Sequence, residues 1–210
     1  MKTSNPVLPL GYSAIPPGAL VNAVTCLEMR TPPVLGATPE SGGFSLLRWP
    51  VDDLDGYRAL YRLVGEDLLW TSRLELSDEA LGAVLSDPQV EIYVLQGTTG
   101  PAGLLELDFS VQGECEIVFF GVVADVIGKG VGWYLMFNAL LRAWRDPVER
   151  VWLHTCNFDH PKAMAFYQRA GFRPYAYLVE VIEDPRVTGV LPRTAAPQIP
   201  LIVPPDAAEF

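Results

Sequence analysis

Three glycines stand at alternate positions in the stretch IGKGVG, residues 127–132, between an apolar run and a helical pattern. Glycine lets an anion approach the backbone closely, because it carries no side chain. A loop at the start of a helix also presents free N–H groups and the positive end of the helix dipole. The pattern therefore indicates a phosphate-binding loop, and the alternative is a flexible turn that only requires glycine.

The spacing of this loop excludes two common phosphate-binding motifs. A Walker loop requires Ser or Thr directly after its lysine, whereas Lys129 is followed by Gly130. The dinucleotide-binding fingerprint requires GxGxxG, whereas the glycines here alternate throughout. On spacing alone, a loop that leads into a helix is the favoured alternative to a phosphate site.

Two segments follow the motifs of one enzyme family. EIVFFGVVADVIGKGVGWYLM (116–136) fits the pattern Gln/Arg-x-x-Gly-x-Gly/Ala, with Gly130 and Gly132 at the two glycine positions. HPKAMAFYQRAGF (160–172) fits the pattern Asn-x-x-Ala-x-x-x-Tyr-x-x-x-Gly-Phe. The residues that match this second pattern are Ala163, Tyr167, Gly171 and Phe172. In both segments the chain resembles the GCN5-related N-acetyltransferase (GNAT) superfamily, whose order of elements agrees from about residue 44 to 182.

The resemblance implies that acetyl-CoA is a cosubstrate and that the glycine loop holds its pyrophosphate. The loop residues concerned are Gly128, Lys129, Gly130, Val131 and Gly132. It also implies that the end of the preceding strand pairs through its backbone with the pantetheine arm and the acetyl carbonyl. The residues there are Phe120, Gly121, Val122 and Val123. His160, at the Asn position of the second motif, is a further candidate cofactor contact.

Two residues depart from the family pattern. Ile127 stands where Gln or Arg is usual, so Lys129 either replaces the missing phosphate contact or is a solvated loop lysine. His160 stands where Asn is common, and a helix cap beside Pro161 is the favoured alternative to a cofactor contact.

Acetyl transfer to an amine requires a base, an oxyanion-stabilising donor and an acid for the leaving thiolate. The resemblance implies that Tyr167 is the acid, and the alternative is a core aromatic at helical spacing. It also implies that Glu116 is the base, because a glutamate stands at the same distance before the loop in the histone-acetyltransferase branch. Three other carboxylates are weaker candidates for the base: Glu114, Glu106 and Asp108. The alternative for these three and for Glu116 is a position that faces solvent. A backbone N–H near residues 120–121 would hold the oxyanion.

The elements around these residues indicate an α/β fold. Apolar periodicity predicts strands at 42–49, 90–97, 103–111, 115–126, 150–156 and 172–182. Helices are predicted at 51–65, 77–87, from about 132 to 145 and within 159–172. We expect a mixed, mostly antiparallel sheet of six to seven strands flanked by about four helices, as in the GNAT fold. In the third helix, one stripe is predicted to face the core: Trp133, Met136, Phe137, Leu140, Leu141 and Trp144.

Proline-rich extensions flank this domain. We divide the chain into an arm with one strand (1–40), the acetyltransferase domain (41–182) and a tail (183–210). The strand-like run ALVNAVTCLEM in the arm could extend a sheet edge across a homodimer.

Composition bounds the class of protein and of partner. The net charge of −10 argues against nucleic acid and anionic membranes and mildly favours a cationic partner. No apolar run approaches the roughly 20 residues of a membrane span. Three distant cysteines indicate reduced thiols, and with only two histidines no metal is expected. The N-terminus lacks the pattern of a signal peptide, so a cytoplasmic location is expected.

The sequence therefore predicts a cytoplasmic N-acetyltransferase that moves an acetyl group directly from acetyl-CoA to a primary amine. The acceptor is a small molecule or a lysine side chain. Two alternatives remain open, namely a CoA-binding sensor or structural protein with a weak active site, and a transferase of another acyl group.

Overall fold

The structure, a computed structural model, describes residues 5–204. Its strands are β1 (Ala19–Met29), β2 (Ser45–Arg48), β3 (Val90–Gly97), β4 (Gly100–Asp108), β5 (Glu114–Val122), β6 (Arg150–Cys156) and β7 (Arg173–Glu183). Its α-helices are α1 (Leu54–Gly65), α2 (Asp78–Ser86), α3 (Val131–Ala143) and α4 (Ala163–Arg169). No helix within residues 5–204 is long and apolar enough to cross a membrane.

All strands join one seven-stranded sheet in the order β2-β3-β4-β5-β6-β1-β7. The β5–β6 pair is parallel and the other pairs are antiparallel. The expected α/β fold with a mixed, mostly antiparallel sheet and four helices is confirmed. Local signals explain the agreement: Asp53 and Ser77 cap α1 and α2 through their side chains, as residues of these types favour.

The strand expected in the N-terminal arm is an internal strand of the sheet. β1 pairs with β6 on one side and with β7 on the other. Both of its edges are therefore hydrogen-bonded within the same chain, and the expectation that it extends a sheet edge into a second subunit is wrong. The proposed boundaries at residues 40 and 182 stay predictions, and residues 1–4 and 205–210 of the two extensions lie outside the described residues.

The core lies on both faces of the sheet. One cluster packs α3 and α4 on one face, and a second cluster packs α1 and α2 on the other. In α3 the buried stripe differs from the predicted one: its members are Val131, Leu135, Met136, Ala139, Leu140 and Ala143. Trp133 and Leu141, which were predicted to face the core, are exposed. Alanines form part of the buried stripe because the helix approaches the sheet closely, and a count of large apolar residues misses them.

Two irregularities of β5 determine the shape of the site. Pairing with β6 stops at Glu116 and Trp152, although both strands continue, so the strands diverge beyond this point. A bulge leaves Val118 without a partner on β4. The bulge shifts the alternation of side chains by one residue. Phe119 therefore packs in the cluster under α1, while Phe120 packs on the α3 side.

Candidate active site

A cleft of about 1540 Å³ opens where β5 and β6 diverge. Single-ligand pockets typically have about 300–1,000 Å³, so this cleft has room for two reactants. Its walls are the end of β5, the glycine loop (127–132), the start of α4, the end of α1 with the following turn, and residues 198–199. No group of three or more His, Cys, Asp or Glu side chains within residues 5–204 is arranged to hold a metal ion.

The glycine loop presents unpaired N–H groups to the cleft. Gly128 and Gly130 have φ angles of 82° and 81°, in the left-handed region that favours glycine. A Cβ at either position would meet no atom within 4 Å, so the space above the loop is open. The N–H groups that donate to no acceptor within residues 5–204 are those of Gly128, Gly130, Val131 and Gly132. Since Gly130 is also the N-cap of α3, these donors lie at the positive end of that helix, which suits an anion.

Most of the predicted cofactor residues line this cleft. Those that do are Phe120, Gly121, Val122, Gly128, Gly130, Gly132 and His160. Three others do not. Val131 is the first residue of α3 and its side chain is buried, Val123 packs against the cluster between the sheet and α1, and Lys129 is exposed to solvent. Val131 could therefore contact a ligand only through its backbone. Lys129 could do so through its backbone or after a change of side-chain rotamer.

The end of β5 offers a free backbone edge. From Ile117 to Val122 its β6-facing side has no strand partner, since the parallel pairing ends at Glu116. Gly121 is required here for close packing, because a Cβ would lie 2.5 Å from Val64 Cγ1 and 3.1 Å from the Trp70 ring. A helix and a tryptophan thus approach this strand where a ligand could pair with it.

Tyr167 lies on α4 at the inner side of the cleft. Its ring packs edge-to-face against Phe120, Phe166 and Phe172, with centroids 5.7–6.3 Å away. Its hydroxyl has no hydrogen-bond partner among the described residues. Burial, with nearby Asp159 and Cys156, raises the pKa of the Tyr167 hydroxyl well above its usual value. The hydroxyl is therefore protonated at neutral pH and can donate a proton or hydrogen bond into the cleft.

The four candidate base carboxylates have different surroundings. Glu114 is paired with Arg150 at 3.0 Å, and Asp108 accepts from the backbone of Ser110 at 2.7 Å. Glu116 does not line the cleft, but it belongs to the last residue pair between β5 and β6 before the two strands diverge. It contacts His154, whose Nδ1 lies 3.7 Å from the carboxylate and is buried without a hydrogen bond among the described residues.

Glu106 belongs to a closed network beside the cleft. It is fully buried, accepts a 2.8 Å hydrogen bond from the Tyr57 hydroxyl and pairs with Arg73 at 2.5 Å. Burial and the Glu106 charge raise the pKa of Tyr57 well above its usual value, so Tyr57 remains a donor. Glu106 does not face solvent, because it is fully buried. It does not fit the role of base either, because Arg73 is already paired with its carboxylate.

His160 and Asp159 order the entrance to α4. His160 Nδ1 accepts from the backbone N–H of Lys162, the N-cap of α4, at 3.1 Å, and no side chain among residues 5–204 caps the helix itself. The His160 side chain also borders the cleft, so both roles considered for it stay predictions. Asp159 Oδ2 accepts from the Thr155 hydroxyl at 2.6 Å and from Cys156 N–H at 2.9 Å.

Several residues that line the cleft were not predicted to belong to a site. They are Glu66, Asp67, Trp133, Asp159, Phe166, Gln198 and Ile199. Asp159 and Phe166 adjoin or lie within the second motif, so a closer reading of that motif could have found them. Gln198 and Ile199 are far along the chain, and no local signal in the sequence marks them.

Comparison with known proteins agrees with this architecture. The acetyltransferase (GNAT) family matches residues 54–172, more than half of the chain. A GCN5-related N-acetyltransferase from Sphaerobacter thermophilus superposes with a TM-score of 0.58 at 19% identity, covering 78% of this chain and 52% of that one. A functionally unknown conserved protein from Staphylococcus epidermidis superposes with a TM-score of 0.51 at 13% identity, covering 80% of this chain and 63% of that one. The chain thus spans between half and two thirds of these two structures.

A third structure has a more specific activity. An aminoglycoside acetyltransferase from an uncultured soil metagenomic sample gives a TM-score of 0.51 at 17% identity, covering 61% of this chain and 87% of that one. No match is found among curated proteins. At these identities the structural likenesses show the fold, while the match over residues 54–172 shows the family: the chain belongs to the GNAT family of acetyltransferases.

Proposed function

We propose that this protein is an N-acetyltransferase that moves an acetyl group from acetyl-CoA directly to a primary amine. The observation that carries the proposal is the pair of features in one cleft: the free N–H groups of the glycine loop and the protonated hydroxyl of Tyr167. The first suits a pyrophosphate and the second suits a departing thiolate. The volume of the cleft leaves room for an acceptor beside the cofactor.

Binding of CoA is assigned to the backbone. The N–H groups of Gly128, Gly130 and Gly132 would hold the pyrophosphate, with Lys129 available to turn towards it. The unpaired edge at residues 120–122 would accept the pantetheine arm as a further strand partner. Trp133 and Phe166, whose rings meet edge-to-face at 5.7 Å, border the same space.

Tyr167 would donate to the thiolate leaving group, because its hydroxyl is protonated across the physiological range and has no acceptor among the described residues. A backbone N–H at residues 120–121 would stabilise the oxyanion of the tetrahedral intermediate. Glu116 is proposed as the base. It has no arginine partner and would draw the amine proton through water, since it does not line the cleft itself.

The acceptor is proposed to be an amine of a small molecule or of a lysine side chain. Three acidic residues line the cleft (Glu66, Asp67 and Asp159) and so do three basic ones (Arg62, Lys162 and Arg169). The support for a cationic acceptor is therefore the net charge of −10. Nucleic acid and membranes are not expected partners, a homodimer stays open, and a cytoplasmic location is part of the proposal.

An assay of CoA release tests this proposal. Purified protein is mixed with acetyl-CoA and each member of a panel of primary amines, and the free thiol is followed with a thiol reagent. We expect thiol release that depends on the amine and saturates with it, together with acetylated amine in the mass spectrum. Thiol release at the same slow rate with and without every amine would contradict transfer.

A further inference from the structure

The segment that follows β7, residues 184–204, lies outside the part of the chain that matches the family and yet is well packed. We call it the tail segment. Leu191, Ala195 and Ala196 are buried against Leu69 and Phe158 in a third apolar cluster. The segment therefore covers the side of the sheet that α1 and α2 leave open.

A buried ion pair anchors the tail segment. Asp184 and Arg186 are both almost fully buried, with Nη2 of Arg186 2.7 Å from Oδ2 of Asp184. The same guanidinium donates to backbone carbonyls further along the segment. They are those of Ala195, Ala196, Ile199 and Pro200, at 2.8–3.4 Å. One arginine thus fixes the path of residues 195–200, and displacing that path would leave a buried charge without partners.

The tail segment is joined to the turn after α1 through Asp67. The carboxylate of Asp67 accepts from Ala196 N–H at 3.1 Å, and its carbonyl accepts from the Gln198 side chain at 3.0 Å. Arg62 also donates to the Val190 carbonyl at 3.3 Å. As a result Gln198 and Ile199 stand in the wall of the cleft beside Glu66 and Asp67.

We infer that the tail segment is the specificity wall for the acceptor, with Ile199 setting its width, and that the acceptor is a free small-molecule amine. The inference rests on the proposed function and narrows it. The glycine loop and β5 take the cofactor, so the wall formed by Glu66, Asp67, Gln198 and Ile199 faces the remaining space. Because Arg186 holds this wall in place, we expect that a lysine within a polypeptide could enter only by displacing the wall, whereas a free amine fits beside it.

The test is equilibrium binding of amines to protein saturated with CoA, which does not depend on turnover. The probes are putrescine, an aminoglycoside and a lysine-containing peptide, titrated calorimetrically. The variants are Ile199→Trp, which narrows the space, and Ile199→Ala, which widens it. Ile202→Ala is the matched control, because Ile202 belongs to the same segment, is 66% exposed and does not line the cleft.

We expect the free amines to bind wild-type protein and the peptide to bind far more weakly. Ile199→Trp should raise the Kd of the bound amines about tenfold or more. Ile199→Ala should favour the aminoglycoside relative to putrescine, and Ile202→Ala should change neither. In all variants the Kd of CoA should be that of the wild type, which also shows that they fold.

Equal amine binding by the Ile199 and Ile202 variants, or tighter binding of the peptide than of the free amines, would overturn the inference. So would the failure of every amine to bind a protein that still binds CoA. Failure to bind CoA itself would instead remove the proposed function on which the inference rests.

Discussion

The two walls of the cleft are built in different ways. The glycine loop is one short continuous segment, and it presents backbone N–H groups that glycine leaves open. A second wall brings together the turn after α1 and the tail segment, which are about 130 residues apart in the chain, and it presents side chains. The first wall suits a constant ligand, since backbone groups change little with sequence. The second can vary with the acceptor.

The difference predicts that substitutions in the two walls separate binding of the cofactor from binding of the acceptor. A change in the glycine loop should weaken CoA alone. A change in the tail segment should alter stability or acceptor binding and leave CoA unaffected. Tyr167 lies between the two and should affect turnover without affecting either binding step.

The largest effect is expected for Tyr167→Phe. Loss of a general acid typically lowers kcat by about 10²–10⁴-fold. The Kd of CoA should not change, because the hydroxyl has no partner among residues 5–204 and the ring remains. Because burial raises the pKa of Tyr167, the wild-type rate should also show no loss from its ionisation up to about pH 10. Steady-state kinetics across pH check both statements, and an unchanged kcat would exclude Tyr167 as the general acid.

Arg186→Met should lower the free energy of unfolding by about 3–5 kcal/mol, because it leaves the Asp184 carboxylate buried without its partner. The matched control is Arg30→Met, since Arg30 is 67% exposed and its pair with Glu28 should contribute about 0–1 kcal/mol. Urea denaturation of both variants measures the difference. Equal losses would mean that the tail segment is not an integral part of the fold.

Glu116→Gln should lower kcat/KM about a hundredfold near pH 7, the lower end for a general base. The deficit should shrink towards pH 10, where the acceptor amine, with a pKa of about 10.4, loses its proton unaided. Glu114→Gln is the control on the same strand face, because that carboxylate is held by Arg150. A pH profile parallel to that of the wild type would exclude Glu116 as the base.

Gly130→Ala should weaken CoA binding without affecting the acceptor wall. Its φ of 81° costs an alanine about 1–2 kcal/mol, which corresponds to a loss of affinity of about 5–30-fold if the loop relaxes. Gly82→Ala is the matched control, and its expected effect on the stability of the fold has the opposite sign. A Cβ at Gly82 in α2 meets nothing within 4 Å, and alanine there should stabilise the fold by about 0.5–1 kcal/mol. Titration with CoA and thermal unfolding together check the pair.

What could be predicted from the sequence was what is encoded locally. The caps Asp53 and Ser77, the period of α3 and the glycines of the loop each act within a few residues, so the elements and the glycine loop were predicted. The two GNAT motifs then predicted Tyr167, which the structure places in the cleft.

What could not be predicted depends on distant contacts. The bulge at Val118 reverses the faces of Phe119 and Phe120, and no residue type in that run marks it. For Glu106 the sequence offered a candidate base or a solvent-facing carboxylate, and its buried pairing with Arg73 was missed because Arg73 is far away in the sequence. The tail segment forms no helix or strand, and its packing comes from Arg186, whose acceptors are backbone carbonyls that any sequence would offer.

The central claim is that the glycine loop holds the pyrophosphate of CoA. Calorimetric titration of the purified protein with CoA, acetyl-CoA, pantetheine and ATP tests it most directly. The account predicts saturable binding of CoA and acetyl-CoA, weaker binding of pantetheine, which lacks the pyrophosphate, and no binding of ATP. Absence of CoA binding, or binding of pantetheine as tight as that of CoA, would contradict it.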